Sequence, residues 1–266
     1  MTSETCLVLS GKGGVGKTTV FSNIATSLAM MNKETIIIDA DLAMPNLGYA
    51  FGFTNKPITL HEVLAGKASI DEAIYEGPGG VKVIPGGDTI AGFQDADPVG
   101  LIEVIDYLKT KADYIFVDGP VGINEDIVIL LSHVDNVIFV VTPDLLSIAD
   151  ALRMKVIAES FDCNIYGVIL NRVDAQDADE MKTKLEKTLE LKILAMIPYD
   201  PNIRISANKM IPIVSCLPNS PAAIAIKIFA ANFAGINNKI EGKKVGLFQK
   251  LLGRSRVNGS VTDGQN

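Results

Sequence analysis

Gly11-Lys12-Gly13-Gly14-Val15-Gly16-Lys17-Thr18-Thr19 follows the apolar run Cys6–Ser10 and precedes a helical pattern from Val20 to Met31. Strand, glycine-rich loop and helix, in that order, are the context a phosphate-binding loop needs. The glycines let successive backbone N–H groups turn toward one anion. The helix N-terminus adds partial positive charge at the same spot. Lys17 is placed to reach terminal phosphates, and the Thr18 hydroxyl suits Mg²⁺. Lys12 is less ordinary: a long cation among glycines, where no packing role calls for one. It reads as a second phosphate contact.

Strands and helices alternate beyond the loop. Thr35–Asp39, Gly80–Ile84, Tyr114–Asp118, Asn136–Thr142, Asn164–Leu170 and Leu194–Pro198 are apolar runs of strand length. Helical patterns cover Thr59–Leu64, Pro98–Thr110, Leu145–Ser160, residues 177–190 and Pro221–Ala234. Continuous apolar strands between helices predict an α/β fold, a doubly wound and mainly parallel sheet with helices on both faces. In such sheets the ligand sits beyond the carboxyl ends of the strands. Asp39 and Asp41 follow one strand and Asp118 ends another, so all three emerge where phosphates would be. A carboxylate there can hold a Mg²⁺-bound water, and the glycine turn Gly119–Gly122 can sense a γ-phosphate.

Composition narrows the classes. The 266 residues are 48% hydrophobic and 21% charged, which fits a well-packed globular chain. A net charge of −7 and a pI near 4.9 make nucleic acid an unexpected partner. Cys6, Cys163 and Cys216 show no C-x-x-C spacing, and His61 and His133 stand alone, so neither a disulfide framework nor a histidine or cysteine metal site is expected. No signal-peptide pattern and no run of 18 apolar residues is present, and a cytoplasmic setting is the expectation.

The loop resembles the deviant Walker A loop of the MinD/ParA family of ATPases, and the resemblance extends over about residues 5–235. It implies Mg²⁺ and ATP as cofactors and an ATP-dependent homodimer in which Lys12 reaches the partner's nucleotide. Asp39-Ala40-Asp41 resembles the family's switch I, which implies that Asp41 orients the attacking water and Asp39 supports Mg²⁺ through water. Asn46 matches a family position near the dimer interface. Asp118-Gly119-Pro120-Val121-Gly122 resembles switch II, with Val121 where the family usually has alanine. Asn171 and the Pro198–Asp200 segment match positions that grip adenine.

Residues 1–236 are therefore expected to form the ATPase domain and 237–242 a linker. Residues 257–266 read as a disordered tail. The segment between, 243–256, carries five positive charges and no negative ones in a chain of net charge −7. At 100° per residue Val245, Leu247, Phe248, Leu251 and Leu252 fall within an arc of about 160°. This reads as an amphipathic helix for an anionic membrane surface, on the inner face of the cell membrane. It resembles the family's membrane-targeting helix, which implies a spatial-positioning switch with an activator or cargo protein still to be identified. A flagellar-placement ATPase of the same family and a ParA-like DNA-partitioning protein are the alternatives. A reductase or Fe–S scaffold of the same superfamily would want a cysteine close behind switch II or a C-x-x-C pair, and the chain has neither.

Overall fold

The computed structural model describes residues 3–236 except 162 and 175–177. The expected linker 237–242, amphipathic helix 243–256 and tail 257–266 lie outside the described residues. The chain opens with β1 (Glu4–Ser10), α1 (Lys17–Ala29) and β2 (Thr35–Asp39). It continues through α2 (Leu47–Ala50), α3 (Leu60–Leu64), β3 (Tyr75–Glu76), β4 (Lys82–Ile84), α4 (Ile90–Asp95) and α5 (Leu101–Lys109). Next come β5 (Tyr114–Val121), α6 (Glu125–Leu131), β6 (Asn136–Val141), α7 (Leu145–Ser160), β7 (Asn164–Val173) and α8 (Ala178–Leu189). The last described elements are β8 (Ile193–Pro198), α9 (Asn202–Asn208), α10 (Ile213–Cys216) and α11 (Pro221–Phe233).

The strands form one sheet in the order β3-β4-β2-β5-β1-β6-β7-β8. All neighbours run parallel except the short edge strand β3. Side chains alternate across a strand, so Leu7 and Leu9 of β1 pack into one apolar cluster and Cys6 and Val8 into the other. Both faces are covered, which is why these strands read as continuous apolar runs. α1, α10 and α11 pack on one face, and α3, α5, α6, α7 and α8 on the other. From β1 the chain crosses to β2 on one side, and from β5 it crosses to β6 on the other. The phosphate loop leaves β1 at this reversal, where open α/β sheets hold ligands.

Two strands run further than their apolar patterns. β5 continues past Asp118 through Gly119 and Pro120 to Val121, with an irregular register opposite Val8–Ser10. A Cβ on Gly119 would lie 3.0–3.1 Å from Leu7, Leu9 and the Val8 carbonyl, so glycine lets the strand stay against β1. β7 continues through Asn171 and Arg172 to Val173, with a register shift between Leu170 and Val173. Such a bulge re-aims side chains, and Arg172 adopts φ 58° within it. The helix after the phosphate loop starts at Lys17, three residues before the apolar pattern does. α6 lacks a long periodic pattern but carries its own cap, since the Asn124 side chain accepts from the Ile127 amide.

Candidate nucleotide-binding site

Gly16 takes φ 93° as the N-cap of α1, a left-handed conformation that glycine adopts without strain. The first turn of α1 has no acidic side chain and no side-chain cap. Its orphan N–H groups are thus free for an anion. The loop packs tightly at both ends. A Cβ on Gly11 would lie 2.4 Å from Asp150 Cβ, and one on Gly16 would lie 2.4 Å from Asn171 Nδ2.

The parallel register pairs Asp39 with Asp118 across β2 and β5. Two carboxylates far apart in sequence thus stand side by side, both fully buried. Lys17 Nζ donates to Asp118 Oδ1 at 2.5 Å, and Thr18 Oγ1 donates to Asp118 Oδ2 at 2.5 Å. Asp39 Oδ2 accepts from the Leu47 amide at 2.8 Å. Burial, then the Asp118 charge, pushes the Asp39 carboxyl up to about 8. Asp41 is half-buried, and its Oδ1 accepts from the Met44 amide at 3.1 Å. Burial raises its carboxyl too.

The Thr18 hydroxyl and the Asp118 carboxylate converge beside the phosphate loop. Among the described residues no three His, Cys, Asp or Glu side chains could hold a metal ion by themselves. This donor set fits Mg²⁺, a hard ion that takes one or two protein oxygens and completes its shell with phosphates and water.

Two adjoining cavities share Gly16, Thr19 and Arg172. One, of about 290 Å³, is lined by the loop, Lys17, Thr18 and Asp41. The other, of about 200 Å³, is lined by Asn171, Pro198 and Asp200. The structure therefore places the expected phosphate residues and the expected adenine residues at opposite ends of one groove. Asn171 Nδ2 donates to the Val15 carbonyl at 2.7 Å, so its amide braces the loop. The Asp200 carboxylate is engaged elsewhere: its oxygens accept from the Asn202 and Ala222 amides at 2.9 and 3.1 Å. What Asp200 offers the cavity is backbone. Arg172, to which the sequence assigns no role, donates to the Gly14 carbonyl at 2.8 Å and borders both cavities. Only the bulge in β7 brings it there, and no sequence pattern marks it.

Lys12 lies apart from this cluster. Its Nζ is 3.3 Å from Asp144 Oδ1, with both side chains nearly half exposed. Asp144 caps α7 by accepting from the Ser147 amide. Met44, Ile123, Leu145 and Leu146, in the segments that follow β2, β5 and β6, and Val121, the last residue of β5, are exposed apolar side chains, and Val121 lines the cavity beside the loop.

Known proteins resemble this chain over most of its length. Residues 6–213 match the family model described as the CobQ/CobB/MinD/ParA nucleotide binding domain. An uncharacterized ATP-binding protein of Methanocaldococcus jannaschii is 40% identical over 237 residues, covering 89% of this chain and 90% of the relative. The septum site-determining protein MinD of Thermotoga maritima is 32% identical over 250 residues, covering 91% and 89%. The solved structure of MinD complexed with Mg-ADP from Pyrococcus horikoshii superposes with a TM-score of 0.81 at 33% identity, covering 90% of this chain and all of that one.

Proposed function

This chain belongs to the CobQ/CobB/MinD/ParA family of P-loop nucleotide-binding proteins, and we propose that it is a MinD-like ATPase acting as a spatial-positioning switch. It binds Mg-ATP, dimerises on ATP, hydrolyses ATP slowly, and meets an anionic membrane through residues 243–256. The observation that carries the nucleotide reading is the pair of cavities sharing Gly16, Thr19 and Arg172. One offers backbone N–H groups, Lys17 and Thr18. The other offers a strand end and the Pro198–Asp200 backbone. Mg²⁺, when bound, would supply positive charge against the phosphates. Thr18 and Asp118 would hold it, with Asp39 behind them. Lys17 would exchange Asp118 for phosphate oxygens, which carry more charge.

Phosphoryl transfer depends on positioning and electrostatics more than on strong base chemistry. Asp41 borders the phosphate cavity and is the carboxylate suited to hold a water in line. Dimerisation is supported by the half-exposed Lys12 and by the exposed apolar side chains at and after the ends of β2, β5 and β6. Two triphosphates facing each other repel, and a lysine from each subunit would neutralise the other's charge.

Sedimentation of the full chain with ATP, with ADP and without nucleotide tests this. ATP alone should shift wild type to a dimer, while Lys12→Ala stays monomeric yet still binds ATP. Asp41→Ala should dimerise on ATP and hydrolyse it very slowly. A Lys12→Ala protein that dimerises like wild type would sink the trans role. Wild-type turnover in Asp41→Ala would move the water-orienting role elsewhere.

A further inference from the structure

The segment from Ala40 to Asn46 carries Asp41, and its placement decides where that carboxylate stands. The Asp41–Met44 hydrogen bond is internal to the segment and fixes its shape without fixing its position. At its start the Ala40 amide donates to the Asp118 carbonyl at 2.9 Å and the Asp41 amide to Asp39 Oδ1 at 3.4 Å, and past Asp41 a side chain from another element takes hold. His61, on α3, is 1% exposed, and its Nε2 lies 3.0 Å from the Leu42 carbonyl oxygen. A carbonyl only accepts, so Nε2 carries the proton and Nδ1 is bare. Nδ1 is buried and has no hydrogen-bond partner.

The ring is boxed in on several sides. A Cβ on Gly87 would lie 2.3 Å from His61 Nδ1, and one on Gly92 would lie 3.3 Å from it. The Phe93 ring is tilted against it at 6.3 Å. The turn Pro85-Gly86-Gly87 also touches the segment itself: a Cβ on Gly86 would lie 2.4 Å from Pro45 Cβ. One glycine of that turn thus meets the imidazole, and its neighbour meets the chain five residues after Ala40. α3 is tied to the same turn, since the Leu60 amide donates to the Pro85 carbonyl at 2.9 Å. A phenylalanine would fill this space without stranding a buried nitrogen, which costs free energy. The histidine supplies one thing that phenylalanine lacks, an N–H aimed at the Leu42 carbonyl.

We propose that His61 is a positioning residue for hydrolysis, its Nε2–H holding the Leu42 carbonyl so that α3 and the Pro85–Gly87 turn set where Asp41 stands. This rests on the reading of Asp41 as the residue that orients water. Neutral imidazole is the working form, and burial lowers the tendency of this ring to protonate.

The test uses the full chain in three forms, wild type, His61→Phe and His61→Gln, with Asp41→Ala measured alongside. Phenylalanine keeps the ring volume without the donor, and the glutamine amide nitrogen can occupy the place of Nε2. Single-turnover ATP hydrolysis, ATP affinity, thermal stability and amide exchange of residues 40–47 are measured on each. His61→Phe should keep ATP affinity within about twofold, exchange faster over 40–47, and hydrolyse about tenfold or more slowly, as small misplacements do. His61→Gln should recover most of the rate and the protection. Unchanged exchange over 40–47 in His61→Phe would overturn the proposal. So would a rate loss that tracks loss of thermal stability equally in both variants. If exchange responds as expected but Asp41→Ala turns over like wild type, the assignment of Asp41 falls and the anchoring by His61 stands.

Discussion

At the residue scale, the buried pair Lys17–Asp118 organises the chemistry. Burying two charges is costly unless they are paired and hydrogen-bonded, and Thr18 supplies the second bond that Asp118 needs. Asp39 has no such cation in contact and sits beside Asp118 in the register. Burial first, and then the Asp118 charge, lets its carboxyl hold a proton far above the ordinary value of 3.8, up to about 8. The folded state binds that proton more tightly than the unfolded chain does. Stability from this group is thus full below pH 3.8 and lost as pH rises through about 8. Asp39→Asn, neutral and nearly isosteric, should raise the Tm of the nucleotide-free protein at alkaline pH, with the gap closing toward acid. Thermal denaturation across that range, with chelator present, is the measurement. A gap independent of pH would mean that charge on Asp39 is not its cause.

At the element scale, α7 meets the phosphate loop through Asp144 and Asp150. A Cβ on Gly11 would press on the Asp150 backbone at 2.5–2.6 Å, so this contact is steric and specific to glycine. Asp144 serves three partners: the Thr142 hydroxyl donates to its Oδ2 at 2.6 Å, and the Ser147 amide and Lys12 both reach Oδ1. Its bond to the Ser147 amide caps a 16-residue helix. Its ion pair with Lys12 is nearly half exposed on both sides and contributes little. Asp144→Ala should cost about 1 kcal/mol, the usual value of a lost cap. Asp144→Asn keeps an acceptor for Ser147 and should cost clearly less, although it weakens the ion pair just as much. Chemical denaturation distinguishes them, and equal losses would mean that the bonds to Thr142 and Lys12, rather than the cap, dominate.

At the scale of the whole molecule, the sheet gathers every site residue at one end of its strands. Among the described residues no helix is long and apolar enough to cross a membrane. Membrane contact through residues 243–256 is part of the proposed function, and the sequence of that segment sets what it predicts. Gly246 and Gly253 each weaken a helix there by roughly 1 kcal/mol, so folding of that segment should await a bilayer. One such helix binds marginally, and two on a dimer gain effective concentration, with affinity rising about 10²-fold or more. Liposome co-sedimentation should show ATP-dependent, salt-weakened binding to anionic vesicles, abolished by Phe248→Glu or by truncation after Gly242. Equal binding with ADP and ATP would sink the avidity mechanism, and binding that survives truncation would sink the assignment of the segment.

The sequence by itself determined the sheet and the phosphate loop, because those signals are local. Apolar runs of strand length, a glycine pattern between strand and helix, and acids at strand ends each depend on neighbours within a few residues. What it could not hold were relations between distant segments. The sheet buries Asp39, and the register of β2 against β5 sets it beside Asp118, so its carboxyl is pushed up. The bulge in β7 turns Arg172 onto the Gly14 carbonyl and Asn171 onto that of Val15. Asp200 lies where the pattern puts it, yet its carboxylate is used by two backbone amides, one of them 22 residues away. His61 reads in sequence as a lone histidine and becomes an anchor only because α3 packs beneath Leu42. In each case hydrogen-bond geometry, which acts over about 3 Å, joins residues that the chain separates and only the packed sheet brings together.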